Sequence, residues 1–298
     1  MSAMKSSLLS TTIATLLCMA APAHAGETVE RLVAADARGE VEIVNVSGDV
    51  QVLGWDRPEV RVRAELGSGA ERLEVESRDK RTFIKVMLPG RSSSGNSDLV
   101  VHVPRESSLS INTISADQTI GEVRGAQRLQ AVSGSITTQV WAAELSVKTI
   151  SGDVVIGAHK QPAMTAVNTV SGDVRLENAA GELALETVTG DMDIRMTTLT
   201  RGRIRTTNGD LHLRTALASD ARLDAEAING DLRFALRNPI DAQFDIETFN
   251  GEIDNCFGQQ PVRTREFAPG NELRFKQGAG SARVRIKTLN GGVEICKE

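Results

Sequence analysis

The chain has 298 residues, with 34 Lys and Arg against 39 Asp and Glu for a net charge of −5, and it is 40% hydrophobic and 24% charged. That balance fits a folded protein of one long domain or two ordinary ones and excludes a disordered or collagen-like chain. With no long basic run, the electrostatic footprint of a nucleic-acid binder is missing.

Residues Met1 to Ala25 carry one charge, Lys5, then an apolar stretch from Leu8 through Ala20, then Ala23, His24 and Ala25. A basic start, a short apolar middle and a small-residue exit predict a secretory signal peptide cleaved before Gly26. Cys18 follows Leu17, where a lipid-anchor signal needs a small residue, so lipidation is not expected. Cleavage leaves a net charge of 33 − 39 = −6, three histidines, and Cys256 and Cys296 as the remaining thiols. Those thiols would meet an oxidising compartment. No later run of about 18 apolar residues occurs, so no transmembrane segment is expected and the location is periplasm or cell surface.

From residue 26 to about 110 the chain reads as a first coil, NVSGDV around Gly48, followed by strands at Glu59–Leu66, Arg72–Ser77, Thr82–Leu88 and Asp98–Val103. Alternation in Val60, Val62, Ala64 and Leu66, broken by Gly67 to Gly69 and by Gly90 to Gly95, suggests an antiparallel meander. We expect it to cap the N-terminal end, since an open stack leaves core side chains and strand edges exposed.

Residues 111 to 298 are a repeat region. A phrase of the type TVSGDV recurs around Gly134, Gly152, Gly172, Gly190, Gly209, Gly230, Gly251 and Gly291, with a worn copy at Ala116. Successive centres lie 18, 18, 20, 18, 19, 21 and 21 residues apart, then 40. A period near 20 predicts an all-β, single-stranded β-solenoid with coils of about 18–21 residues. Nine motifs would make a rod on the order of 40 Å long.

After each central Gly, apolar residues stand at the second and fourth positions, as in Val154 with Ile156 and Leu211 with Leu213. This period of two predicts a half-buried strand. Before the Gly, apolar residues stand two and five positions upstream, as in Ile150 with Val147 and Val170 with Val167. Taken as inward-facing, that spacing of three requires a bend or bulge. Thr149, Thr169, Thr187, Thr206, Thr248 and Thr288 recur beside it and can hydrogen-bond to one another when stacked. The Gly itself accepts a positive φ, and its polar neighbours bond to nearby backbone, as a coil corner needs.

Cys256 and Cys296 each lie five residues past a repeat Gly. On adjacent coils their Cα atoms would be about 5 Å apart, within disulfide reach, and with a coil between them about 10 Å, out of reach. We therefore expect a Cys256–Cys296 disulfide, with an inserted loop across roughly 257 to 270 in place of a hidden tenth rung.

Chemistry is sparse. Asp153, Asp173, Asp191, Asp210 and Asp231, followed by Glu252, should form a column of carboxylates along one corner. Calcium is the natural cation for such a column; the simpler reading, which we prefer, is that each Asp completes its own turn. His102, His159 and His212 lack metal-ligand spacing, and neither H-E-x-x-H nor G-x-S-x-G occurs. No catalytic or cofactor-binding residue is singled out. Trp55 is expected to cap the first coil.

The stretch Gly48-Asp49-Val50, the sequence Gly54-Trp55-Asp56, the strand Leu99 to Pro104 and the tandem Ser/Asn-Gly-Asp coils resemble the bacterial β-strand-repeat family of unknown function often labelled "putative adhesin". The resemblance spans nearly all of the chain after Ala25. It implies a β-solenoid in the cell envelope and carries no functional residues with it. The expected function is a non-enzymatic interaction protein whose flat faces bind a partner protein or envelope surface. A scaffold that self-associates through its coil edges and a polysaccharide-degrading solenoid enzyme are the alternatives.

Overall fold

The computed structural model describes residues 27–298 apart from 68, 71, 89–94, 266 and 267. The expected signal peptide, with Lys5, Cys18 and His24, lies outside the described residues. Every regular element is a strand, 22 in all among the described residues, joined in one hydrogen-bonded sheet system. The all-β class follows from the sequence pattern.

Each repeat supplies one rung: a strand before its Gly, a corner, and a strand after it. Rungs stack in parallel and in register. Before the corner Val147 pairs with Val167, Val167 with Leu185, and Leu185 with Ile204. After it Val154 pairs with Val174, Val174 with Met192, and Met192 with Leu211. These side chains are buried. Gly is required at the corner for two reasons, which Gly152 shows together. Its φ is 133°, and a Cβ there would lie 2.2 Å from the carbonyl oxygen of Gly134 on the preceding rung. A side chain would thus both strain the backbone and push the rungs apart.

The strand before the corner keeps strict alternation to its end, with no bulge. Val147 and Thr149 are buried, whereas Ile150 is exposed. The recurrent threonine, three before the Gly, fills the inward position that the sequence reading gave to the apolar residue two before it. Nor do these threonines bond to one another. Thr149 and Thr169 donate to the carbonyls of Ser151 and Ser171 at 3.3 Å, and Thr248 donates to that of Gly251 at 2.9 Å. These three hydroxyls find a partner within their own corner, whereas those of Thr187, Thr206 and Thr288 are buried without one among the described residues.

Rung order departs from sequence order at both ends. The Gly230 rung pairs with the Gly291 rung, Leu223 opposite Val284 and Leu232 opposite Val293. The Gly291 rung then pairs with the Gly251 rung, Ile286 opposite Ile246 and Val293 opposite Ile253. The chain therefore leaves the Gly230 rung, builds the outermost one, and returns to fill the gap. Charge explains the choice: before the corner the outward residues in register are Arg203, Asp224, Arg285 and Asp245, and beside them Arg205, Glu226, Lys287 and Glu247. Sequential stacking would have set Asp224 on Asp245 and Glu226 on Glu247, like charges directly opposite. In the chain between the Gly251 and Gly291 rungs, Val262–Arg265 and Ala268–Gln277 run antiparallel, the latter along the outer edge of Ala242–Asn250. Phe244 and Phe275 stack there with centroids 4.5 Å apart. Strand structure thus occupies part of the segment expected as a loop.

At the other end, Glu40–Trp55 carries the Gly48 corner and pairs in parallel with Ser108–Gly121, Val52 opposite Ile120. Its free side is covered by Arg81–Met87 before the corner and Ser97–Pro104 after it, both parallel. These two later strands make an outer rung. Arg72–Arg78 lies antiparallel on the first, Glu59–Leu66 on the second, and Glu27–Ala34 beyond that. Strands form close to the expected spans, but not as a sequential meander. Among the described strands between Glu27 and Pro104, only Arg72–Arg78 and Arg81–Met87 pair as chain neighbours.

Candidate functional site

The corners bring Asp153, Asp173, Asp191, Asp210 and Asp231 into one column. Each carboxylate serves the next rung instead of its own turn. Asp153 Oδ1 accepts the main-chain N–H of Asp173 at 2.9 Å, Asp173 that of Asp191 at 2.9 Å, and Asp191 that of Asp210 at 2.8 Å. Asp210 accepts from Asp231 and Asp231 from Gly292, both at 2.9 Å. Glu252 is not the next member, because the Gly291 rung intervenes. A shallow groove of about 440 Å³ runs along Asp153, Asp173, Asp191 and Asp210 to His212 and Arg233. Arg233 closes it: Nη1 is 2.7 Å from His212 Nε2 and Nη2 is 3.2 Å from Asp231 Oδ2. One oxygen of each carboxylate is thus committed to a main-chain N–H of the next rung. Among the described residues no group of three or more His, Cys, Asp or Glu is arranged to hold a metal ion.

Two residues before each corner stands an outward apolar side chain. Ile114, Val132, Ile150, Val170 and Val188 occupy five successive rungs; after Thr207, Ile228, Leu289 and Phe249 continue the row in spatial order. Their exposure ranges from 43% at Val188 to 53% at Ile150. Singly exposed apolar residues are ordinary, but a row of them repeated on eight rungs, broken only at Thr207, is an organised surface feature.

Farther from the corner on the same face lies a third row, eight residues before each Gly. Met164, Glu182, Arg201, Arg222, Arg283 and Gln243 stand there in register. Arg201 Nη1 is 3.2 Å from Glu182 Oε1. A second groove, of about 420 Å³, lies along Met164, Ala184, Arg201, Arg203 and Arg222, with the carboxylates of Glu182 and Asp224 also on its wall.

The two tryptophans are occupied. Trp141 stacks on His159 with centroids 3.6 Å apart, and the Arg124 guanidinium sits 4.8 Å from its ring centroid on a neighbouring rung. Trp55 donates Nε1–H to the Glu59 carbonyl at 2.8 Å at the exit of the Gly48 rung and lies 5.2 Å from the His102 ring. Histidines 102, 159 and 212 are not brought together.

Cys256 and Cys296 lie on the two outermost C-terminal rungs with Cα atoms 4.9 Å apart, at disulfide distance. Nearby, Asp241 accepts hydrogen bonds from the Ser281 hydroxyl at 2.9 Å and from the Gly280 N–H. These bonds, that from Ser281 foremost, hold its carboxyl below the usual carboxylate range.

Sequence reasoning missed the apolar row and the arginine row. Counting back two and eight residues from each Gly finds both, once the threonine is assigned to the core.

The family model for Toastrack DUF4097 matches residues 59–296. No curated protein matches the chain. Among solved structures it is similar to a "putative adhesin" from Bacteroides fragilis at 12% identity, covering 91% of this chain and 97% of that one with a TM-score of 0.42. A "putative adhesin" from Parabacteroides distasonis matches at 10% identity, over 91% and 98%, with a TM-score of 0.36. A "putative cell adhesion protein" from Clostridium sporogenes matches at 11% identity, over 91% and 100%, with a TM-score of 0.24.

Proposed function

Because the chain belongs to the Toastrack DUF4097 family, we propose that it is a non-enzymatic β-solenoid of the cell envelope, exported by residues 1–25. It acts as an interaction protein that holds an envelope partner on the outward face of the strands preceding its corners. The parallel register from rung to rung supports the solenoid. The observation that carries the function is the apolar row from Ile114 to Phe249, exposed beside rows of mainly polar and charged side chains. A monomer gains nothing from displaying such a row, whereas association hides it from water.

Both ends carry antiparallel strands that pair the outer rungs, Arg72–Arg78 and Glu59–Leu66 at one end and Ala268–Gln277 at the other. On this reading residues 26–110 comprise the first coil and the N-terminal cap, and residues 111–298 the repeat region. Paired ends oppose polymerisation through coil edges and favour lateral binding over the scaffold reading. No helix among the described residues is long and apolar enough to cross a membrane.

The test is cosedimentation of the purified chain with isolated envelope fragments, using wild type and a variant combining Ile150→Ser, Val170→Ser and Val188→Ser. Wild type should pellet with the fragments and the variant should stay in solution at an unchanged melting temperature. Equal behaviour of the two overturns the reading, and a scattering mass that climbs with protein concentration favours the scaffold.

A further inference from the structure

We infer that the row Arg201, Arg222 and Arg283 is a binding site for a linear acidic polysaccharide, whose successive carboxylates would each meet one guanidinium. This deepens the interaction reading above and concerns a different row of the same face. On that face the two neighbouring rows alternate in sign from rung to rung, Arg203 with Asp224, Arg285 and Asp245, and Arg205 with Glu226, Lys287 and Glu247. The row eight residues before the corner breaks the rule, setting three arginines directly on one another. Only Arg201 has an acidic partner, Glu182; Arg222 and Arg283 make no ion pair among the described residues. All three are exposed, so no burial compensates for stacking like charges. The arrangement is explained if the neutralising charge comes from outside.

Its geometry selects the kind of anion. The guanidinium fork takes a carboxylate through two parallel hydrogen bonds. Strand spacing repeats the fork every 4.8 Å or so along a straight line, which suits an extended chain bearing one acidic group per unit. Met164 and Ala184 supply apolar surface in the groove beside Arg201 and Arg222, where the C–H face of a sugar ring can rest. The row holds no aromatic side chain on which a base could stack, which disfavours a nucleic acid.

Binding of the purified chain to polygalacturonate is measured against neutral dextran, polyphosphate and single-stranded DNA over a range of salt. Three proteins are compared: wild type, a variant combining Arg222→Gln with Arg283→Gln, and Arg175→Gln on the face after the corner. Wild type should bind polygalacturonate but not dextran, more weakly as salt rises. The double variant should lose at least about tenfold in affinity while melting at the same or a higher temperature, since it relieves like-charge stacking. Arg175→Gln should bind as wild type does. The inference is overturned by no polygalacturonate binding at low salt, by loss equal to that of Arg175→Gln, or by tighter binding of polyphosphate or DNA. Failure here with envelope cosedimentation still dependent on Ile150, Val170 and Val188 removes the polysaccharide site alone; loss of both removes the interaction reading.

Discussion

Asn290 donates its side-chain amide to Asn229 Oδ1 at 2.8 Å across 61 residues of sequence, and accepts at 2.9 Å from Asn250, which precedes it in the chain. This ladder records the exchanged order of the last two rungs. Lys287 lies between Glu226 and Glu247 in the same stack and pairs with Glu247. Lys287→Glu would place a third carboxylate between two others, and we expect a loss of roughly 1 to 2 kcal/mol in denaturant unfolding. Adding Glu247→Lys should return part of it. Lys148→Glu, whose register neighbours are Gln130 and Asn168, should cost under about 0.5 kcal/mol. Equal effects at the two lysines would mean that charge does not set the order.

The aspartate column yields a second expectation. Asp191→Ala removes the acceptor of the Asp210 N–H and should cost about 0.5 to 1.5 kcal/mol. Asp191→Asn keeps an acceptor oxygen and should stay near wild type. Since the column is held by main-chain donors, millimolar calcium should leave the melting temperature of all three proteins unchanged. A calcium-dependent rise lost in Asp191→Ala would restore the cation reading.

How much of this was legible follows from what repetition encodes. The strand after each corner, the all-β class and the alignment of five aspartates were open to reading, because the same physical demand recurs about every twenty residues. The exchanged rungs were not, since spacing alone favours neighbours in sequence; only the like signs of Asp224 and Asp245, and of Glu226 and Glu247, argue against stacking in sequence order. Ile150 and its counterparts were assigned inward because apolar residues usually are. Thr149 holds that position by bonding its hydroxyl to the corner carbonyl, which leaves Ile150 to solvent. The aspartate hydrogen bonds depend on inter-rung geometry that no single repeat contains.

The cysteine pair gives a third prediction. Mass spectrometry without reductant should show two thiol hydrogens missing, and Cys256→Ser or Cys296→Ser should abolish that deficit. Closing 40 residues of chain contributes on the order of 4 kcal/mol through the unfolded state. Reduction should therefore lower the unfolding midpoint, with amide exchange rising first in Ala242–Asn250 and Ala282–Asn290, the strands of the outermost rungs. Free thiols in the oxidised protein would remove the bridge.

Asp241 supplies a prediction in pH. It joins the start of the outermost rung to the turn that leads back into the gap, through Ser281 and Gly280, and its own carbonyl accepts the Ala282 N–H at 3.0 Å. Its carboxyl is held below the ordinary value of 3.8 by the Ser281 hydroxyl first and the Gly280 N–H second. Such a group binds a proton more readily in the unfolded chain than in the folded one. Its contribution is therefore present in full above the unfolded value, and disappears as pH falls through the lower folded value. Asp241→Asn should melt below wild type at pH 7, with the gap closing as pH drops below about 4. Ser281→Ala should reproduce most of that pH dependence. A gap that persists unchanged at pH 2 would show that the side chain's shape, and not its charge, holds the turn.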